Sequence, residues 1–180
     1  MKKVILDLAV TLDGFIEGPN GETDWCILDD DMGFDTFLAG IDTIFYGRVS
    51  YDLWGNFQPG AGAPAGERDL WSAVHSKRKV VFSRRPNDNS DTLFICSDIA
   101  AHTAAIKKEG GGDIWLYGGA KLITAFIQLG LIDRYRLSVH PVVLGSGKPL
   151  FAELKDRLNL RLTGARTCRS GVVQLTYEPK

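Results

Sequence analysis

The stretch that most restricts the fold is Ile114-Trp115-Leu116-Tyr117-Gly118-Gly119-Ala120-Lys121-Leu122-Ile123. Ile114 to Tyr117 is a short apolar run with β-branched and aromatic members, as a buried central strand needs. Leu122, Ile123, Phe126, Ile127 and Leu129 then recur at helical spacing, and Gly130 stands where a helix C-cap belongs. A strand therefore runs straight into a helix through two glycines. Without β-carbons at that turn a ligand can approach the backbone. The first helical turn offers free N–H groups and the positive end of the dipole to an anion, phosphate first among them. Taken alone, a Gly-Gly pair before a helix is more often just a tight turn.

The rest of the chain alternates in the same way. Residues 3–10 read as a buried first strand, left through the turn-forming Asp13-Gly14, and Gly18-Pro19-Asn20-Gly21 is a mobile lid or a plain surface connection. Asp29-Asp30-Asp31 suit the start of a helix, where negative charge favours the dipole; capping is the better reading for most of them, and one can still be an active-site carboxylate. Phe34, Phe37, Leu38 and Ile41 form that helix's apolar face. Strands follow at 43–46, 79–82 and 93–96, with a helix at 67–75 and another, capped by Ser97, at 98–108; residues 87–91 form a polar turn. Residues 131–139 alternate, and 158–163 with 172–177 form a hairpin turned at Arg169-Ser170-Gly171. The expected class is α/β: a mostly parallel central sheet flanked by helices, with antiparallel C-terminal strands, in a single domain over residues 1–180.

Composition narrows the partners. A net charge of −1 with no basic run argues against nucleic acid and anionic membrane. The most apolar long segment, 114–132, carries Lys121, Gln128 and three glycines and is not a membrane span. Three widely spaced cysteines without C-x-x-C argue against a disulfide framework or zinc site and suit a reducing cytoplasm. The three histidines have no metal-ligand spacing, so no metal is expected.

Ligands of such sheets bind beyond the carboxyl ends of the strands. Three of those ends carry anion-friendly residues: Gly47-Arg48-Val49-Ser50, Ser83-Arg84-Arg85 and Gly118-Gly119-Ala120-Lys121. Guanidinium binds phosphate through charge-assisted, often bidentate bonds, and a hydroxyl adds a donor. Arg48 and Ser50 taken singly read equally as a solvated side chain and a helix cap. Three such ends in one crevice fit an extended, multiply phosphorylated ligand such as a dinucleotide. An arginine pair near its adenosine end favours a 2′-phosphate, hence NADPH over NADH.

Asp13-Gly14, Gly47-Arg48, Ser83-Arg84, Gly118-Gly119 and, most specifically, the segment from Gly130-Leu131-Ile132-Asp133 through Pro141-Val142-Val143-Leu144-Gly145-Ser146-Gly147 to Leu150-Phe151 resemble the dihydrofolate-reductase-like superfamily. More narrowly, the chain resembles the reductase domain of the bacterial riboflavin-biosynthesis deaminase/reductase and its stand-alone relatives. The resemblance implies an NADPH-dependent oxidoreductase that passes hydride to a small heterocyclic substrate, similar to 5-amino-6-(5-phosphoribosylamino)uracil reductase. Dihydrofolate or pterin reduction and a non-catalytic nucleotide-binding role are the alternatives.

By that analogy Ala9 and Val10 lie near the nicotinamide, Gly47, Arg48, Val49 and Ser50 meet phosphate or ribose, and Ser83 and Arg84 flank the 2′-phosphate. Gly118, Gly119, Ala120, Lys121 and Leu122 cradle the pyrophosphate. Asp24, Trp25 and Trp54 border the substrate, and Asp13 or Asp30 supplies the proton. The resemblance also implies a homodimer joined through the late strands. Two departures from the riboflavin enzyme stand out. Phe37-Leu38-Ala39 occupies the place of an arginine, and Ser50-Tyr51-Asp52-Leu53-Trp54 replaces a Thr-x-x-x-Asp-x-Pro stretch. Both remove polar contacts that a ribose phosphate would use.

Overall fold

The computed structural model describes residues 1–87 and 92–180, without the side chain of Asp30. Strand β1 (Val4–Thr11) is followed by the short β2 (Phe15–Glu17), a 3-10 turn at Asp30–Met32, helix α1 (Phe34–Ala39) and β3 (Ile41–Gly47). A single turn α2 (Arg48–Ser50) continues into a π-helical turn, Tyr51–Gly55. Then come α3 (Ala65–His75), β4 (Arg78–Phe82), β5 (Leu93–Ile95), α4 (Ile99–Lys108), β6 (Asp113–Gly118) and α5 (Ala120–Gln128). The chain closes with β7 (Arg134–His140), β8 (Lys148–Pro149), β9 (Leu160–Thr167) and β10 (Val173–Pro179).

Among the described residues eight strands form one sheet in the order β5-β4-β3-β6-β1-β7-β10-β9, and β2 pairs with β8 separately. β1 runs parallel to both β6 and β7, β3 runs parallel to β6 and β4, and β4 to β5. Among the described residues of the eight-stranded sheet, the β7–β10 and β10–β9 pairings are the antiparallel ones, and the separate β2–β8 pair is antiparallel too. The expected α/β class, with its parallel centre and antiparallel C-terminal strands, is what the chain adopts.

Strand alternation divides the interior in two. Val4, Leu6 and Val10 of β1 join Phe45, Val80, Ile114 and Leu116 against Leu122, Ile123, Phe126 and Ile127 of α5. Burial of each such side chain contributes about 1.5–3 kcal/mol. On the other face Ile5, Ile44, Tyr46, Val81 and Trp115 pack with Leu38 of α1 and Val74 of α3. Helix α5 ends as the sequence predicts: Gly130 turns left-handed at φ +63°, the Gly130 N–H donates to Ile127 O at 3.0 Å, and the Leu131 N–H donates to Phe126 O at 2.9 Å. Those two bonds satisfy carbonyls that the helix end would otherwise leave open.

Several boundaries differ from the sequence expectation, each for a local reason. Ile41 belongs to β3 rather than to the face of α1, because the helix stops at Gly40. Asp98, not Ser97, caps α4, its carboxylate accepting from the Ala101 N–H at 2.9 Å. Strand β7 begins at Arg134, three residues later than expected, because Asp133 turns its carboxylate onto the Val4 N–H at 2.7 Å. The helical turns over Arg48–Gly55 have no sequence counterpart in the expectation; Gly55 permits them, since a Cβ there would sit 2.3 Å from the Tyr51 ring. Of the expected polar turn at 87–91, residues 88–91 lie outside the described residues.

Candidate active site

The carboxyl ends of β4, β3, β6 and β1 lie side by side, since these strands are neighbours and parallel. Four adjacent strand ends span about 14 Å at ordinary inter-strand spacing. Ser83, Gly47, Gly118 and Ala9 therefore form one ledge, which the three separate sequence motifs anticipate.

The middle of the ledge is built from backbone. A Cβ on Gly47 would lie 3.1 Å from the Gly119 nitrogen and 3.4 Å from the Gly118 oxygen, and a Cβ on Gly119 would lie 3.0 Å from Ser50 Oγ. Gly118 holds φ at +124°, a conformation that side-chain-bearing residues avoid. The Gly118–Gly119 peptide is cis. Helix α5 begins one residue later, so its N-terminal turn opens onto the same place. This is a cradle that side chains would fill, and it fits a pyrophosphate.

The flanking predicted residues divide. Arg48 lies at the edge with Nε 2.8 Å from the Asp52 carboxylate and its guanidinium over Phe94 at 5.6 Å. Val49, Arg84 and Lys121 are exposed, and Ser83 Oγ accepts from the Arg85 N–H at 3.2 Å. The side chains of Val10 and Leu122 are buried in the core beneath the ledge, so each meets a ligand there through its backbone. Ala120 is half-buried at the first residue of α5.

At the β1 end the ledge opens into a cleft of about 470 Å³. Its walls include Leu28, Trp54, Leu70 and Trp71, and Ser50, Gly118 and Gly119 reach its rim. Trp54, expected at the substrate, lines this cleft, its ring nearly parallel to that of Trp71 at 8° with 5.9 Å between centroids. Asp24 is exposed and does not line the cleft; Trp25 stands behind it, edge-on to His140 at 5.3 Å.

Asp13, expected to supply the proton, does not line the cleft. Its carboxylate accepts from the N–H of Gly145 at 2.7 Å, the N–H of Leu144 at 3.1 Å and the hydroxyl of Thr11 at 2.6 Å. These bonds, the Thr11 hydroxyl foremost, hold its pKa below the ordinary carboxylate value. Asp13 ties two loops together outside the cleft and is a poor proton donor. The Asp30 side chain lies outside the described residues.

The floor of the cleft carries groups that sequence reasoning missed. Asp7, Ser138, His140 and Gln174 are all buried and all face the cleft. Asp7 pairs in register with Arg136 across β1 and β7, Nη1 standing 3.1 Å from Oδ2. Arg136 Nη2 also donates to Met32 O at 2.8 Å, and the guanidinium lies over the Phe37 ring at 4.9 Å. Burial pushes the Asp7 carboxyl up to about 7, against the opposing pull of Arg136. Gln174 Nε2 donates to Ser138 Oγ at 3.2 Å. A signal for Asp7 was present in the sequence: a lone carboxylate inside a buried apolar strand needs a partner. Cys26 also lines the cleft, but burial raises its thiol to about 11, so it is not a nucleophile near neutral pH.

The mostly parallel sheet flanked by helices, closed by antiparallel C-terminal strands, is a dihydrofolate-reductase-like fold. Within that class, the chain belongs to the RibD C-terminal domain family, whose model matches residues 2–174. It is 59% identical to YyaP of Bacillus subtilis (strain 168), over 98% of this chain and 94% of that protein. Its fold is similar to that of a putative riboflavin biosynthesis protein from Shewanella sp. PV-4, with a TM-score of 0.80, 23% identity, and coverage of 100% of this chain and 99% of that one. It is also similar to the deaminase/5-amino-6-(5-phosphoribosylamino)uracil reductase of Thermotoga maritima, with a TM-score of 0.69, 16% identity, and coverage of 99% of this chain and 57% of that one. Dihydrofolate reductase from Enterococcus faecalis, complexed with NADP(H), gives a TM-score of 0.67 at 14% identity, covering 99% of this chain and 96% of that one.

Proposed function

We propose that this chain is an NADPH-dependent reductase that transfers hydride to a small heterocyclic substrate, in the manner of the 5-amino-6-(5-phosphoribosylamino)uracil reductases. The observation that carries the reading is the continuity of the glycine cradle with the apolar cleft: Gly118, Gly119 and Ser50 border both. A cofactor laid along the ledge would bring its reactive end to Ala9, at the cleft. When bound, it supplies the hydride.

The chain's own residues position and enclose. The backbone of Gly47, Gly118 and Gly119 and the N-terminus of α5 would hold the pyrophosphate, and Ser83 with Arg84 would hold the 2′-phosphate at the far end of the ledge. Leu28, Trp54, Leu70 and Trp71 keep the cleft dry, and the carboxyl of Asp7, poised near neutrality, is the group on its floor able to give up a proton. The same reading carries a homodimer joined through the late strands, where Leu162 of the edge strand β9 is 53% exposed, and a cytoplasmic setting.

The test is a titration with NADPH and NADH side by side, read by tryptophan fluorescence. Trp54, Trp71 and Trp115 all line the cleft and report on its filling. Tight binding with NADPH preferred, followed by NADPH oxidation on aminouracils or pterins, supports the reading. Binding without turnover over that panel leaves a nucleotide-binding protein, and binding of neither nucleotide refutes the proposal.

A further inference from the structure

We propose that the substrate of this cleft is a planar, lactam-bearing heterocycle with no phosphate or other anionic tail, read at its amide edge by Asp7 and Arg136. The inference rests on the reductase reading above and gives it a substrate class.

The geometry of the floor comes first. Asp7 and Arg136 are neighbours in register on adjacent parallel strands, with Ser138 and Gln174 one pleat further along β7 and β10. Arg136 is held on three sides: Asp7 at 3.1 Å, the Met32 carbonyl at 2.8 Å and the Phe37 ring beneath it at 4.9 Å. A guanidinium so fixed is a donor of defined direction. Beside it the Asp7 carboxyl is an acceptor, and one that also carries a proton near neutral pH. Donor next to acceptor is the complement of the C=O and N–H of a lactam. The parallel rings of Trp54 and Trp71, with Leu28, provide flat apolar walls for the ring system above it.

Charge then excludes the tail. Among the described residues, the charged side chains lining the cleft are Asp7, Glu17, Glu67 and Arg136. Asp7 is paired with that guanidinium and Glu17 with Lys148, so among the described residues lining the cleft Glu67 is the unpaired charge and no unpaired cation remains. A phosphate taken out of water needs a paired cation, and beside like charges it is repelled. Arg48, the arginine at the end of β3, does not line the cleft.

The experiment compares matched probes on the full chain, with and without saturating NADPH: 5,6-diaminouracil, 5-amino-6-ribosylaminouracil and the 5′-phosphate of the latter. The two unphosphorylated probes are expected to bind at least tenfold more tightly than the phosphate. Asp7→Asn should weaken them at least tenfold and leave NADPH affinity within twofold. Should Asp7→Asn fail to fold, Glu67→Lys gives an independent reading, because a cation on the cleft wall should selectively raise affinity for the phosphorylated probe. Equal or tighter binding of the phosphate to the unaltered chain, or no binding of any of the three probes, overturns the proposal. A chain that binds the bases but not NADPH keeps this assignment and loses the reductase reading. A chain that binds NADPH and prefers the phosphate does the reverse.

Discussion

Asp7 and Arg136 face each other across the β1–β7 ladder at 3.1 Å, at the centre of the sheet and on the floor of the cleft. A carboxylate here loses most of its hydration, and one guanidinium restores only part of it, so the carboxyl is pushed from 3.8 to about 7. The floor of the site thus holds a titrating group inside an otherwise apolar strand.

That group sets a pH dependence of stability. Its folded pKa exceeds its unfolded value, so between pH 3.8 and about 7 the folded chain retains a proton that the unfolded chain has released. The contribution of Asp7 is therefore most favourable below that window and declines as pH rises through it, by about 1–4 kcal/mol in all. Asp13, Asp29, Asp42 and Glu178 act in the opposite sense, but their lowered pKa values confine that loss to more acidic pH. Urea midpoints at pH 5 and pH 8 should show higher stability at pH 5, and Asp7→Asn should flatten the difference. An unchanged slope in the variant would assign the titration to another group.

Cofactor selectivity should reside in the arginines at the ledge's far end. Arg84→Ala is expected to weaken NADPH by roughly 10- to 150-fold, the loss of one charge-assisted phosphate contact worth about 1.5–3 kcal/mol, with NADH little changed. Arg48→Ala, compared in the same assay, shows which arginine serves the 2′-phosphate. A variant that weakens both nucleotides equally takes that arginine out of the role.

A side chain in the cradle must displace its neighbours or strain the backbone. Gly118→Ala must adopt φ near +124° and should lose about 1–3 kcal/mol of stability. Gly47→Ala brings a methyl to 3.1 Å from the Gly119 nitrogen, so the cradle must open; the expectation is a folded protein with NADPH affinity reduced at least tenfold. Retention of full affinity by Gly47→Ala in the fluorescence titration would move the pyrophosphate elsewhere.

Asp133, within the most specific part of the family resemblance, serves the fold. It accepts from the Val4 N–H at 2.7 Å and pairs with Lys107 of α4 at 2.7 Å, joining the starts of β1 and β7 to a helix end. Asp133→Ala should lower stability by about 1–3 kcal/mol in denaturant titration without altering NADPH affinity. A change in affinity at unchanged stability would contradict this assignment.

Periodicity and turn chemistry were legible directly in the chain. The Ile114–Tyr117 run, the two glycines, the spacing of Leu122 to Ile127 and the Gly130 cap are local features, fixed by sterics and burial within a few residues, and each appears where it was expected. The strand-end motifs were legible as residue types for the same reason. Which of them meet depended on strand order, and only the sheet, with β3 between β4 and β6, brings Ser83, Gly47 and Gly118 into one line. Tertiary structure also decided which carboxylate faces the cleft. Asp13 looked catalytic beside a glycine turn, yet distant backbone amides at 144 and 145 claim its carboxylate. Asp7, a lone carboxylate within a buried strand, takes its partner from a residue 129 positions away. Local sequence fixes backbone conformation through short-range sterics. The solvation and pairing of a charge depend on contacts across the whole chain, and only the folded sheet defines them.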